Sequence, residues 1–358
     1  MDISADRLGQ QAAEILKSWE MPEKYVDTVV EVMIDTDLRG IDSHGVGMLS
    51  GYHNMRGLGR LVIDGEISVV RDLPSMALVD GGHGLGHPVG VFATDLAIKK
   101  CATTGIGAVA ARNSNHYGAA GYYARRIVEQ GFIGISMTGT PGAGIVPTFA
   151  KKAMLGTNPI AFAAPAKRNP PFVLDMATST VAIGKISIAQ RLGLPIPEGW
   201  ALDEIGNPVT DSIKARKMRL LTPLGGSSEQ GSHKGYGLAA MVDILCSTLT
   251  GAIIPGVESH QGREMAAGNV GHFFLAIDPK ALRDDGEFEN DLDELIDSLH
   301  ETPASDPDKP VLVAGDPELA AYEDRIANGI PVPEGLFEEI RKVALDSNAP
   351  FILDQDGA

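Results

Sequence analysis

Thr103-Thr-Gly-Ile-Gly-Ala-Val-Ala-Ala-Arg-Asn-Ser-Asn-His-Tyr-Gly118 is the stretch on which the fold turns. Its Gly105-Ile-Gly107-Ala-Val-Ala110 portion has the G-x-G-x-x-A spacing of a dinucleotide fingerprint. In a fold that uses the fingerprint, the glycines follow a strand and open a helix, so that the helix N-terminus meets the pyrophosphate. Here the order is reversed. The helical run Val89–Thr103 ends at Gly105, a natural left-handed cap, and the apolar β-prone run Ile106–Ala111 follows it. The strand then delivers Asn113-Ser-Asn-His-Tyr-Gly118 to a helix-like stretch that begins near Ala119. His116 stands on that strand-to-helix turn among three small polar side chains. An imidazole can take a proton from a substrate hydroxyl near neutral pH and return it, which makes His116 the first candidate for acid/base chemistry. The same residues also fit an ordinary helix start, with Asn113, Ser114 or Asn115 capping the free amides.

Moving outward, the first sixty residues read as helical, with Ser4 capping a segment that runs to Trp19, Pro22 in the first turn of a second, and Asp42 or Ser43 opening a third. From Ile67 short β-prone runs (Ile67–Val70, Met76–Val79, Ile106–Ala111, Ile133–Met137, Ala161–Ala164, Phe172–Leu174, Phe273–Ile277) alternate with helical stretches at Val89–Thr103, Ala119–Gln130 and Tyr236–Thr250. Beyond Pro279 the chain is acidic and helical again, over Asp291–His300, Pro317–Ala327 and Pro333–Leu345. The pattern predicts a non-Rossmann mixed α/β domain over residues 67–279, flanked by a helical domain built from residues 1–66 plus 280–358. Terminal helices without a core of their own are expected to pack together.

The 358 residues carry a net charge of −17, which repels a nucleic-acid backbone or an anionic membrane. An anionic cofactor must then meet a local positive site. Cys101 and Cys246 lie far apart, with no signal peptide apparent, so a disulfide framework and a cysteine metal cluster are not expected, and cytoplasm is the default compartment. Tyr236–Ala252 is apolar but contains Asp243, and reads as a buried helix rather than a membrane span. No phosphate-binding G-x-x-x-x-G-K-[ST] run and no zincin-type histidine pair occurs, so no metal is expected.

Four further segments set reactive groups among small residues. Asp42-Ser-His-Gly45 places Ser43 beside His44, where a hydroxyl can support the ring, although a plain helix cap fits equally. Gly156-Thr-Asn-Pro-Ile-Ala161 puts the Thr157 hydroxyl and the Asn158 amide ahead of a β-run, suited to a carboxylate or carbonyl, or simply to a proline turn. Leu174-Asp-Met-Ala-Thr-Ser179 ends an apolar strand on Asp175, which can bind a ribose hydroxyl pair or cap a helix. Ser232-His-Lys-Gly-Tyr-Gly237 presents Lys234 on a glycine turn at a helix mouth, where a phosphate would meet a point charge and free amides.

In order, these segments and Gly199-Trp-Ala-Leu-Asp203, Pro223-Leu-Gly-Gly226 and Ala276-Ile-Asp-Pro279 resemble one family over nearly the whole chain. It is the malate/L-lactate dehydrogenase family that is unrelated to the Rossmann-fold lactate and malate enzymes, and that includes ureidoglycolate dehydrogenase, sulfolactate dehydrogenase and diketogulonate reductase. The resemblance implies a homodimer, with active sites near the interface, that binds NAD or NADP in an extended pose. It implies cofactor contacts at Thr140, Asp175, Met176, Ala177, Lys234 and the turn Ala314-Gly315-Asp316, which departs from the family's Pro-Gly-Glu. His116 matches the proton acceptor of one branch, and Ser43 and His44 the relay and proton donor of the imine-reductase branch. Tyr52 and Thr157 are implied to hold substrate. That branch has an aspartate where this chain has Lys185, which instead can attract a carboxylate, so interconversion of a 2-hydroxy acid and a 2-keto acid is the better expectation. Cyclic imine-2-carboxylate reduction and a catalytically silent nucleotide-binding dimer are the alternatives. Malate-type members carry an arginine where this chain has Met48, so Arg56 or Lys185 would have to replace that carboxylate clamp. With Asp175 beside a ribose repelling a 2′-phosphate, NAD is preferred over NADP.

Overall fold

A computed structural model of the chain describes residues 1–260 and 268–354. The elements run β1 (Asp2–Ile3), α1 (Ala5–Ser18), α2 (Glu23–Leu38), α3 (Leu49–Gly57), β2 (Ser68–Asp72), β3 (Met76–Asp80), α4 (Gly86–Thr104) and β4 (Ile106–Ser114). They continue through α5 (Ala120–Val128), β5 (Ile133–Thr138), β6 (Ile160–Ala164), β7 (Phe172–Met176), α6 (Ile183–Arg191), β8 (Ala201–Leu202), β9 (Pro208–Val209) and α7 (Ser212–Met218). The chain closes with α8 (Ser232–Asp243), β10 (Val270–Ile277), α9 (Glu287–His300), α10 (Asp316–Asn328), β11 (Ile330–Pro331) and α11 (Glu334–Asp346).

Gly105 ends α4 at φ 78°, a conformation in which a Cβ would be strained, and β4 starts at the next residue. Of the fingerprint-like glycines, Gly105 therefore terminates a helix and Gly107 lies within β4, as their order in the sequence requires. The central seven-stranded sheet has the order β2-β3-β4-β10-β5-β6-β7, in which β3 and β4 are parallel and every other pair is antiparallel.

That alternation brings five strand ends to one rim. Ser114 at the end of β4 pairs with Val270 at the start of β10, and Thr138 at the end of β5 pairs with His272. Ile160 at the start of β6 pairs with both Met137 and Met176. Loops that leave this rim share one edge of the molecule.

One sheet face is closed by α4 and α5, with Tyr123 of α5 among Val79, Val109, Ala111 and Phe274, and the other by α8 and its continuation, with Val242 and Cys246 against Met137 and Phe273. Leu8, Ile15, Val29 and Leu49 from the start of the chain share a separate core with Ile330, Phe337, Ile340 and Leu353 from its end. The helix α9 sits elsewhere, with buried Asp293 accepting the amides of Arg168 and Asn169.

Three details differ from the sequence reading. The third helix begins at Leu49, because Asp42 is paired with Arg325 and the Val46 amide is taken by Asp37. The helix expected at Tyr236–Thr250 begins at Ser232, and residues Ile244–Thr248 wind as a π-turn. Between β7 and α8, the short helices α6 and α7 and the β8–β9 pair enclose a small core of Val181, Ile186, Ile196, Ala215 and Leu221. Elements this short carry too few residues to show a period. No helix among the described residues is long and apolar enough to cross a membrane, and no cluster of metal-ligating side chains occurs among them.

Candidate active site

The loop that leaves β4 on the rim carries His116, but its polar neighbours neither cap α5 nor orient the ring. Asn113 Nδ2 donates to Asp80 (2.8 Å), Asn115 Nδ2 to the carbonyls of His83 and Gly84 (both 2.9 Å), and the Ser114 hydroxyl lies 2.7 Å from His272 Nε2. They pin the loop to its neighbours, and α5 starts at Ala120, after Ala119, without a side-chain cap.

The group that meets the His116 ring comes from α3. Tyr52 is wholly buried in the terminal core, and its hydroxyl lies 2.6 Å from His116 Nδ1. The amide of Gly118 approaches the same nitrogen at 3.3 Å. His44 stacks on His116 with ring centroids 5.3 Å apart, and Ser43 Oγ lies 2.7 Å from His44 Nδ1. Both histidines are half-buried, whereas Ser43 is exposed.

Burial pulls the His116 pKa well below 6.5, helped by repulsion from His44, His87 and His272, and burial also lowers that of His44. His87 and His272 lie in the interior, where burial pushes each down to about 3 and leaves them neutral. His272 is clamped between Ser114 and Thr138 and stacks flat on Tyr117 at 4.6 Å. His87 stands edge-on to Tyr52, and neither of its nitrogens has a hydrogen-bond partner among the described residues.

Asp37, at the end of α2, holds the His44 loop from beneath. Its carboxylate accepts the Val46 amide at 2.9 Å and lies so close to Gly45 that a Cβ there would collide with it. Burial raises its pKa to about 7.

Further along the rim stand Thr140, Thr157 and Asp175-Met176-Ala177. Thr140 and the turn at residues 156–158 meet across Gly156, where a Cβ would strike Thr140 Oγ1. Thr157 is half-buried, and its carbonyl accepts the amide (2.9 Å) and hydroxyl (3.0 Å) of Thr178. Beneath that turn Asn158 Nδ2 donates to Ala239 O (2.9 Å) and Asp243 (2.8 Å), tying it to α8. Asp175 accepts the Gly121 amide at 2.6 Å, so the strand end is tied to the start of α5 one turn beyond His116. Protein packed around its carboxyl raises the pKa to about 6, although the residue keeps one side open to solvent.

The turn Ala314-Gly315-Asp316 lies along the outer edge of β7, where Val173 donates to Ala314 O at 3.0 Å. Asp316 itself is engaged by His300 and the Val313 amide, both at 2.7 Å. Lys234 is exposed in the first turn of α8, beside Gly231 at φ 94°. Lys185 is exposed on α6, and no hydrogen bond, ion pair or ring contact joins it to either histidine of the stacked pair. Met48 packs against the terminal core, and Arg56 lies over the Trp19 ring at 5.8 Å.

The sequence reading did not single out Asp37, His87 or His272, and the Asn158 amide it offered to a substrate is buried and spent on Ala239 and Asp243. Only the glycine at position 45 hinted at a close neighbour.

The mixed sheet lacks the strand–glycine–helix turn of a Rossmann nucleotide binder, and two stacked histidines stand on the loops beside its rim. The family model described as malate/L-lactate dehydrogenase matches residues 3–341, and the chain belongs to that family of dehydrogenases. The malate dehydrogenase of Pyrococcus horikoshii is 40% identical over 96% of this chain and 94% of its own length. Its solved structure superposes with a TM-score of 0.88 at 37% identity, covering 98% of this chain and 97% of that one. An L-sulfolactate dehydrogenase of Methanothermobacter thermautotrophicus is 38% identical over 97% of this chain and 98% of its own length. The structure of delta1-piperideine-2-carboxylate reductase from Pseudomonas syringae is similar at a TM-score of 0.83 and 26% identity, covering 96% and 100% of the two chains.

Proposed function

We propose that the protein interconverts a 2-hydroxy acid and its 2-keto acid with a nicotinamide cofactor, the stacked pair His44–His116 handling the proton on the substrate oxygen. The observation that carries this reading is the pair itself: two imidazoles 5.3 Å apart, both held neutral, beside the sheet rim that bears Asp175. Relatives named for malate and sulfolactate support a small acid of that class.

The residues present fit a dinucleotide. Asp175 uses one oxygen on the Gly121 amide and leaves the other for ribose hydroxyls. Lys234 offers a charge at the positive end of α8, in a chain whose net charge is −17. A bound nicotinamide would supply the hydride acceptor or donor. Thr140, Met176 and Ala177 on the rim and Ala314-Gly315-Asp316 beyond β7 would help to hold the cofactor. Asp175, with Arg125 and Glu318 acting on it in opposite directions, sets a carboxyl where a 2′-phosphate would have to lie, so NAD is the cofactor assigned.

Thr157, half-buried on the same rim, is assigned to hold the substrate, and Lys185, an exposed cation on α6, to attract its carboxylate. With Met48 in the terminal core and Arg56 over Trp19, neither supplies a carboxylate fork, so acids with one carboxylate are preferred to malate. The protein works as a homodimer in the cytoplasm, where its buried free thiols Cys101 and Cys246 stay reduced.

The test is turnover of a panel of 2-hydroxy acids with NAD and with NADP. Turnover of at least one acid with a preference for NAD is expected. Tight NAD binding without turnover of any acid contradicts the catalytic part, and a tenfold preference for NADP contradicts the cofactor choice.

A further inference from the structure

His272 is wholly buried on β10, the strand between β4 and β5, and its ring is held on three sides. Nε2 lies 2.7 Å from the Ser114 hydroxyl on β4, Nδ1 lies 2.7 Å from the Thr138 hydroxyl on β5, and one face stacks flat on Tyr117. Each of these contacts is close in sequence to a residue of the site. Ser114 stands two residues before His116, Tyr117 directly after it, and Thr138 two residues before Thr140. Between Val270 and His272 the pairing with β4 shifts register, a bulge of the kind that re-aims side chains beside active sites.

The hydrogen bonds through the ring have a direction. Thr138 has one hydroxyl proton, and the Gly139 carbonyl lies 2.8 Å from its oxygen, so Thr138 donates there and accepts from His272. Nδ1 then carries the ring proton. Bare Nε2 accepts from Ser114, whose other acceptor, the Asn115 carbonyl, is 3.4 Å away. Burial pushes the ring's pKa down to about 3, so it stays neutral, with one donor and one acceptor on separate edges. The chain starts at the His116 loop and ends on the carbonyl before Thr140.

We infer that His272 is a positioning residue that joins the loop of His116 to the turn of Thr140 and so fixes the proton-handling ring relative to the cofactor. It touches neither substrate nor cofactor. The inference rests on the hydroxy-acid chemistry and the cofactor contact at Thr140 proposed above. Proton and hydride leave adjacent atoms of one substrate, so a shift of on the order of 1 Å between the loop and the turn slows the step that needs both. β4 and β5 do not pair with each other, and His272 spans the strand between them.

The test is a double-mutant cycle in the full-length protein, read in kcat with the best acid of the panel. Ser114→Ala and Thr138→Val are each expected to lower kcat about tenfold, with KM for the acid and for NAD almost unchanged. Together they should lower it about tenfold again, not about a hundredfold, because either one breaks the same chain. His272→Phe keeps a stacked ring without its nitrogens and is expected to match the double variant. Losses that multiply, or wild-type kcat in His272→Phe, would overturn the inference, and the cycle does not depend on that variant folding. Two signals are read without turnover by nitrogen NMR of histidine-labelled protein, each identified by its loss in His272→Phe or His116→Gln. The His272 proton should lie on Nδ1, and Thr138→Val should move the His116 signal. A proton on Nε2, or a His116 signal that stays in place, contradicts the link. If no acid in the panel is turned over, the hydroxy-acid reading fails, and these two signals still decide whether His272 joins the loop to the turn.

Discussion

Asp37 is a buried carboxyl whose environment holds its proton, with a pKa raised from 3.8 to about 7. As pH rises from about 4 the unfolded chain releases this proton while the native chain keeps it, so Asp37 lowers stability progressively up to about pH 7 and not beyond. Asn in its place still accepts the Val46 amide and has no proton to lose. Thermal melts of Asp37→Asn and wild type should therefore diverge in the variant's favour across that window, and parallel curves would remove Asp37 from the linkage. Gly45 touches the same carboxyl. A methyl at Gly45 must push the Ser43–His44 segment away, so Gly45→Ala should lose at least about tenfold in kcat/KM and melt lower, as overpacked sites do. Wild-type kinetics in that variant would show that the loop tolerates the shift. Because burial lowers the His44 pKa, hydroxy-acid oxidation, which needs a neutral base, should persist below pH 6.5 and fail only on further acidification.

Strand ends do for the site what no single motif does. The alternation of β4, β10, β5, β6 and β7 puts the loops of His116, Thr140, Thr157 and Asp175 on one rim, and Asn158 locks the third of these to α8. Asn158→Ala would leave Asp243 buried without its amide partner, with burial already raising that carboxyl's pKa. A stability loss of about 1–3 kcal/mol by denaturant titration, with a raised KM, is expected. At this scale the sequence was readable where a local rule applied. Gly105 can only end α4, and the run Ile106–Ala111 with the turn after it could be placed without knowing any distant contact. The Asn113–Asn115 side chains were misleading, because their partners Asp80, His272, His83 and Gly84 lie on other elements, far away in sequence or across a turn. Tyr52 is the same case in reverse. Its partner is 64 residues away, and nothing near position 52 announces it.

For the molecule as a whole, the helices of both chain ends matter because the terminal core supplies Tyr52 from α3 and braces the His44 loop through Arg325 of α10, which pairs with Asp42. As a homodimer the protein should sediment at twice the chain mass at micromolar concentration, and a monomer would contradict that part of the proposal. The central claim is that a histidine-bearing sheet rim, with no Rossmann-type glycine turn, performs nicotinamide-linked chemistry on a 2-hydroxy acid. Its most direct test is steady-state turnover of the acid panel by wild type and His116→Ala. The account predicts turnover by wild type and a loss of at least about 10²-fold in the variant. Equal turnover by the two proteins would contradict it.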